Sequence, residues 1–395
     1  MIASTLDRTG ALPQRRTMWL STPRNANSPL AGLKVLELAR VLAGPWAGQI
    51  LADLGADVIK VEGPDGDGTR HWGPPWVDHD GERAAAYYHA ANRGKRAIVA
   101  DFRDADDLAR VAALAAGADV VIENFKTGAL AKFGLDHATL AANNLGLVYC
   151  SITGFGQTGP RAHEAGYDFV IQGLSGFMAL TGEPAGQPMK MGISTSDLAC
   201  GLYSVIGIQA ALAMRTRTGC GQHVDMALLD CSVGLLASQA MQYLVTGANP
   251  PRMGNGHAQV SAYGVFPTQD GEVVLAPAND GLFRKLLTVL DRDDLLAEPR
   301  FATNEERLAN RAEIDGIIAA ETAKHSLDEV LRRCEAAGIP AGPINAIDQV
   351  FADPQVIARG MRIDLDGVPG VRSPFSFSGA ELALDRPSPR MGRDD

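Results

Sequence analysis

The stretch LKVLELARVLAGPWAGQILADLGADVIKVE, residues 33–62, decides the fold. Its two ends, LKVLEL (33–38) and ADVIKVE (56–62), are short apolar runs rich in β-branched residues, the composition of strands. Between them, Ala43 to Leu54 places small and apolar residues at i, i+3 and i+4, the period of a helix. A strand, a helix and a strand in this order form a parallel crossover. The pattern recurs in RAIVADF (96–102), ADVVIENF (118–125) and LVYCSIT (147–153), separated by helical stretches near 104–116 and 136–144. These strands are apolar along their whole length rather than alternately, so both faces are expected to be covered. The reading is an α/β protein whose larger domain is a Rossmann-like, doubly wound parallel sheet.

Downstream, two long helices are expected at about 195–217 and 226–246, both rich in Ala, Leu and Gly, as buried core or as an oligomer interface. After PPRMGNGH the character changes. YGVFPTQDGEVVLAPA (263–278) alternates apolar and polar residues around Asp-Gly and predicts a β-hairpin. Helices near 280–290, 304–324 and 326–337 complete a smaller α+β unit, and the tail from Gly342 carries one more helix and short strands in MRIDLDG and SPFSFSG.

Hydrophobic residues make up 46% of the 395, enough for a large core, and 36 basic against 46 acidic side chains leave a net charge of −10. That balance argues against a nucleic-acid partner and against a basic membrane-binding surface. No apolar run approaches the ~20 residues of a membrane span. The five cysteines (Cys150, Cys200, Cys220, Cys231, Cys334) form no CxxC, and four sit in apolar segments, the pattern of reduced buried thiols in a cytoplasmic protein. Residues 1–28 are rich in Ser, Thr, Arg and Pro with one acid, Asp7; they read as a disordered extension, with organelle targeting as the lesser alternative.

Several chemistries are excluded by absence. The turn after the first strand, ARVLAGP, is not GxGxxG, so no nicotinamide site is expected. There is no GxxxxGK[ST], HExxH or GxSxG. GPDGDGT (63–69) lacks the twelfth-position Glu of a calcium loop and reads as a plain turn, so no metal is assigned. Basic residues do gather where loops should leave the sheet: Arg93, Lys95, Arg96 and Arg103, then Lys126 and Lys132. An open α/β sheet binds ligands at the carboxyl ends of its strands, and a phosphate there would meet Arg103, Lys126 and Lys132. TGEPAGQP (181–188) is a Gly- and Pro-rich turn with Ala185 in its middle.

Taken in order, PLAGLKVLELARVLAGPWAGQILADLGADVIKVEGPDGDGTR, NRGKRAIVADF, ADVVIENFKTGALAKFGL, LVYCSITGFGQTGP, AGYDFVIQGLSG, RTRTGCGQHVDMALLD and GIPAGPINAIDQVFADPQV resemble the class III CoA-transferases, the group of formyl-CoA transferase and carnitine CoA-transferase. The resemblance spans roughly 30–390. It implies a large domain over 29–220, a linker helix and small α+β domain over 221–335, and a return to the large domain over 336–395, in two chains threaded as interlocked rings, an obligate homodimer. It implies coenzyme A or acyl-CoA as substrate, with a small carboxylic acid, and no permanently bound cofactor. By position, Val41, Ala43, Ala100, Asp101, Phe102, Arg103, Asn124, Phe125, Lys126 and Lys132 would contact CoA, while Leu42, Gly63 and Thr153 replace polar residues of the oxalate-specific branch. The loop Gly254, Asn255, Gly256 and His257 would close over the intermediate. The family nucleophile is the Asp of TGEPDGPP; here that position is Ala185, with Glu183 and Asp168 as the next carboxylates. The chain is therefore expected to transfer CoA slowly or not at all, with a non-catalytic CoA binder as the alternative. The 2-methylacyl-CoA racemases, a sister branch, use a His and an Asp; Tyr167 stands at that His and Asp197 at that Asp, so one of two bases is missing.

Overall fold

The computed structural model describes residues 18–394. Contacts divide them into two compact units. The larger takes residues up to 171, 193–235 and 360 onward; the smaller takes 172–192 and 236–359.

The larger unit is built on six parallel strands: β1 (Lys34–Glu37), β2 (Asp57–Glu62), β5 (Arg96–Val99), β6 (Val120–Glu123), β7 (Val148–Thr153) and β8 (His223–Ala227); β3 (Trp76–His79) and β4 (Glu82–Ala85) form a separate hairpin. The sheet order is β5-β2-β1-β6-β7-β8. From β1 the chain winds outward through β2 to β5, then crosses back to β6 on the other side of β1 and continues to β7 and β8. Val35 is the register point, opposite Val58 on one side and Val120 on the other. Alternate residues serve opposite faces. Val35, Val58, Val120, Ile122 and Cys150 pack with Ala47 and Leu51 of the helix Ala43–Asp53 and with Cys200 and Ile208 of the helix Thr195–Thr218. Leu36, Ile59, Val121 and Tyr149 pack on the other face with Val111 and Leu114 of the helix Ala105–Ala116. Two covered faces explain why these strands read as continuous apolar runs.

The helix Thr195–Thr218 is long and apolar enough to cross a membrane by composition, which the sequence reading had not allowed for. In this fold its Ala199, Cys200, Val205 and Ile208 are buried against the sheet layer. Of the cysteines, only Cys220 is exposed, and all five are free thiols.

Several expectations are corrected. The helix expected near 304–324 is two, Asn304–Ala309 and Arg311–Thr322, and the single helix expected in the tail is two, Ile347–Ala352 and Pro354–Ala358. The second long helix is two helices, Leu228–Gly234 and Ala237–Thr246, broken at Leu235–Leu236, with Ala237 at φ 43°. Its first residues are instead strand β8: at the sheet edge only one flank is paired, so HVDMA alternates and does not look like a buried strand. SPFSFSG forms no strand; the tail's hairpin is β12 (Arg362–Leu365) with β13 (Val368–Val371). Residues 18–28 are packed rather than loose: Trp19 lies in the core, and Arg24 donates to the carbonyls of Ala52 and Ala383. Residues 1–17 of the expected extension lie outside those described. The last residues run along β5, with Asp394 exchanging hydrogen bonds with Ala97 at 3.0 Å each way, which occupies an otherwise open strand edge.

The smaller unit has the antiparallel sheet β11-β10-β9 of Ala341–Pro343, Glu272–Leu275 and Gly264–Pro267. The expected Asp-Gly hairpin is β9–β10. Phe266, Val273 and Leu275 pack with Phe283, Leu287, Ile314, Ile318 and Val330 from the helices Asp280–Val289, Arg311–Thr322 and Leu327–Ala337.

Candidate active site

Strand order reverses between β1 and β6, and a doubly wound sheet opens a crevice at the carboxyl ends of those two strands. A cavity of about 420 Å³ lies there. Arg40, Val41, Leu42 and Ala43 line it from the turn after β1, Asn124, Phe125, Lys126 and Thr127 from the turn after β6, and Thr153 and Gly154 from the end of β7. Trp72, Glu164, Tyr167 and Asp197 complete the polar and aromatic part of the wall. Asn124 joins the two turns, accepting from the Arg40 N–H at 2.9 Å and donating to the Arg40 carbonyl at 2.6 Å. The Arg40 guanidinium stands 5.1 Å from the centre of the Phe125 ring, a cation–π contact.

Five of the ten expected CoA contacts thus share one cavity: Val41, Ala43, Asn124, Phe125 and Lys126. The other five do not line it. Phe102 reaches toward it by stacking on Phe125, ring centres 6.2 Å apart, and meets Phe133 edge-on at 5.4 Å; Lys132 lies 4.7 Å from the Phe133 ring. Ala100 is buried, its N–H bonded to the Glu62 carbonyl at 2.8 Å. Arg103 forks onto Asp101 at 2.8 and 2.9 Å and holds that carboxyl down at about 2. Phe102, Phe125 and Phe133 form an aromatic ledge, with exposed Arg103 and Lys132 beside it.

The remaining basic residues are not part of this rim, because they lie before or at the start of β5 rather than after it. Arg93 is buried on Asp53 at 2.6 Å, Lys95 on Glu37 at 2.7 Å, and Arg96 pairs with Asp57 at 2.7 Å. GPDGDGT is a turn leading into the single 3₁₀ turn Gly68–His71, which Asp67 caps by accepting from the Thr69 N–H. Among the described residues no group of His, Cys, Asp and Glu could hold a metal ion.

Asp168 accepts from the backbone N–H of Ser196 at 2.8 Å and of Asp197 at 3.4 Å, as a cap on the first turn of the helix Thr195–Thr218. Asp197 faces the cavity; burial, and then the charge of Asp168, push its carboxyl up to about 7. No motif marked Arg40 or Trp72, while Tyr167 and Asp197 stood out only as the positions of the racemase His and Asp. Arg40 flanks Val41, Tyr167 flanks Asp168, Trp72 follows the 3₁₀ turn Gly68–His71 and Asp197 lies in the first turn of the helix Thr195–Thr218, so long-range folding brings them together.

The smaller unit holds the turn with Ala185. The Gly186 N–H bonds back to the Glu183 carbonyl at 2.9 Å, so Glu183–Gly186 is a β-turn with Ala185 as its third residue. The Met189 N–H closes the wider loop on the Thr181 carbonyl at 3.0 Å. Arg252 clamps it, donating to the carbonyls of Glu183 at 3.0 Å, Gly186 at 2.8 Å and Ala179 at 3.4 Å. The glycine-rich loop meets the same turn: the Gly254 N–H bonds to the Gly182 carbonyl at 3.1 Å, and a methyl group added at Gly254 would stand 3.4 Å from Glu183 Oε2. His257 is exposed, its Nδ1 accepting from the Gln259 N–H and its carbonyl from Arg311. The structure therefore gathers Glu183, Ala185 and the loop Gly254–Asn255–Gly256–His257 in one unit, with Ala185 solvent-exposed.

Residues 30–395 match the model of CoA-transferase family III. The chain is 55% identical over 376 residues to the succinate–glutarate CoA-transferase of Agrobacterium fabrum, covering 93% of this chain and 94% of that protein. It is 37% identical over 389 residues to the human succinyl-CoA:glutarate CoA-transferase, covering 96% of this chain and 87% of that one. Among solved structures, a CAIB/BAIF family protein from Brucella suis superposes with a TM-score of 0.85 at 57% identity, over 93% of this chain and 97% of that one. A six-stranded crevice without a glycine fingerprint, a family match from residue 30 onward and transferase relatives along nearly the full length lead to one conclusion: the chain belongs to CoA-transferase family III.

Proposed function

We propose that the chain is built to move CoA from succinyl-CoA to a second carboxylic acid, a dicarboxylate of the glutarate class, and that Ala185 leaves it slow or inactive. The observation that carries this reading is a turn clamped by Arg252 and the Gly254 loop that presents a methyl group at its tip. A turn held at three carbonyls is suited to aim a short side chain. Alanine has nothing to aim.

With an aspartate at 185, a carboxylate oxygen attacks the thioester carbonyl carbon. The C–O bond forms, the C–S bond breaks, and CoA leaves as thiolate with the electron pair, giving a mixed anhydride. The thiolate then attacks the aspartyl carbonyl and releases the donor acid as its carboxylate, leaving CoA as an enzyme thioester. The acceptor acid runs the same two steps in reverse. No net proton is consumed, and the thioester energy is kept as long as water stays out. Val41, Ala43, Asn124, Phe125 and Lys126 bind the CoA ester, the ledge at Phe102 with Ala100 and Asp101 takes the adenine, and Arg103 and Lys132 take the phosphates. Gly254 to His257 cover the intermediate.

Glu183 and Asp168 are poor replacements, whereas Asp197 lines the cavity itself. Glu183 lies two residues from Ala185, at most about 7 Å along the chain, and its own carbonyl is fixed by Arg252 and Gly186. Asp168 already accepts from two backbone N–H groups. A non-catalytic acyl-CoA binder is the second reading, and Ala185 itself favours it. The working form is a homodimer with interlocked chains. Exposed Leu202 and Ile206 on one helix, and Leu244 and Val245 on another, support burial by a second copy.

The test is labelled CoA exchange between succinyl-CoA and glutarate, with the chain beside its Ala185→Asp variant. Exchange gained only in the variant supports a transferase lacking its nucleophile. Equal exchange in both assigns the chemistry to another carboxylate, and binding without exchange in either supports the non-catalytic reading.

A further inference from the structure

Val41, in the turn after β1, has φ 70°, a region that residues branched at Cβ avoid. Glycine takes such a conformation freely. Here the position carries a valine whose residue lines the cavity, so a strained backbone is kept where a glycine would relieve it. Strain of this kind persists only when surrounding contacts impose it.

The contact that imposes it is Asp67. Both its carboxylate oxygens accept from the Val41 N–H, at 3.2 and 3.4 Å, and Asp67 is not itself part of the cavity wall. Asp67 is fully buried and further fixed by the N–H and hydroxyl of Thr69 at 3.0 and 2.8 Å and by Lys60 Nζ at 3.0 Å. Lys60 also donates to the Ala39 carbonyl and Lys95 to the Pro45 carbonyl, each at 2.8 Å, and both ammonium groups meet on Glu37. The turn from Ala39 to Pro45 is thus tied at three backbone groups to one buried quartet of two acids and two bases.

We propose that Asp67 is a positioning residue for the acyl-CoA site: it holds the Val41 N–H so that the left-handed turn presents the valine side chain as a wall of the cavity. This inference rests on the reading of that cavity as the acyl-CoA site. The CoA ester touches Val41, and Asp67 acts through it.

The experiment is a calorimetric titration of succinyl-CoA into the full chain and into Val41→Gly, Asp67→Asn, Asp67→Ala and the Val41→Gly/Asp67→Ala pair, with urea stability measured alongside. On the function proposed above, Ala185 leaves the ligand unreacted during the titration. Val41→Gly is expected to be at least as stable as the parent yet to bind about fivefold more weakly, opposite signs that a purely structural residue would not give. Asp67→Asn keeps an acceptor for the Val41 N–H and is expected to bind within about threefold of the parent, while Asp67→Ala loses about tenfold or more. The pair is expected to bind no more weakly than the weaker single variant, because residues that act as a unit are non-additive. If Asp67→Ala does not fold, Val41→Gly against Asp67→Asn still decides. Additive losses, or Val41→Gly binding as tightly as the parent, overturn the inference. No binding by the parent overturns the acyl-CoA reading, and this inference with it.

Discussion

Lys60→Met removes one cation from the middle of the buried quartet. The side chains of Lys60, Glu37 and Asp67 have no exposed surface, and Lys60 Nζ lies 3.1 Å from Glu37 Oε1 and 3.0 Å from Asp67 Oδ2. With Lys95 the quartet is neutral; without Lys60 it holds one uncompensated buried negative charge. Breaking a buried pair from one side costs about 3–5 kcal/mol. The lower end applies here, because Glu37 keeps Lys95 and Asp67 keeps its Thr69 and Val41 donors. The four tryptophans, Trp19, Trp46, Trp72 and Trp76, all belong to the larger unit, so urea unfolding followed by tryptophan fluorescence reports that unit. For a slope of about 3 kcal/mol per molar urea, the midpoint should fall by about 1 M. The effect should also depend on pH. In the native quartet burial pushes the Asp67 carboxyl up, but Lys60 and the Thr69 N–H outweigh it and hold it below its ordinary value. Its contribution is therefore present above about pH 4 and is lost only in stronger acid. In the variant the spare carboxylate is raised instead. The penalty is full above its raised folded value and fades as pH falls toward the ordinary carboxylate range near ~4. The gap between parent and variant should narrow from about pH 7, where Lys95, lowered by burial to about 8, is still charged, to about pH 5. An unchanged midpoint, or a gap equal at both pH values, would refute the assignment of the quartet as a charge-balanced unit.

Two further outcomes are expected. Asp197, raised to about 7 by burial and then by Asp168, keeps a proton in the folded state that the unfolded chain has released above about pH 4. Stability should therefore fall as pH rises from about 4 to 7; Asp197→Asn should remove that slope from the tryptophan-detected curve, and an unaltered slope contradicts the assignment. Arg252→Ala removes donors to the carbonyls of Ala179, Glu183 and Gly186. In an Ala185→Asp background it should slow exchange about a hundredfold, the usual effect of a misplacement near 1 Å, with the tryptophan-detected midpoint unmoved because Arg252 lies in the smaller unit. Unimpaired exchange would show that the clamp does not aim residue 185.

The parallel sheet was legible because its strands are buried on both faces and so read as unbroken apolar runs. What local pattern could not show was of two kinds. Strand β8 is an edge strand and alternates, so HVDMA looked like the approach to a helix. The hairpin β3–β4 turns on Asp80-Gly81, with φ 49° and 80°; this Asp-Gly signal was present in the sequence and passed over. The site divides similarly. Val41 and Asn124 were expected from motif position, and the strand order explains why they meet, at the reversal between β1 and β6. The basic residues of NRGKR misled, because counting charges cannot say which end of β5 they occupy; Arg93 and Lys95 precede it, Arg96 opens it, and all three are consumed in ion pairs. The left-handed Val41 and its tie to Asp67 have no sequence signature at all.

We propose that the Glu183–Gly186 turn is a nucleophile mount from which the nucleophile is missing. Intact-protein mass spectrometry after mixing with succinyl-CoA tests it most directly, on the chain and on Ala185→Asp. Only the variant should gain the mass of one CoA less one water, as an aspartyl thioester at position 185 that hydroxylamine removes. The same adduct on the unaltered chain, or none on a variant that binds succinyl-CoA as tightly as the parent, would contradict it.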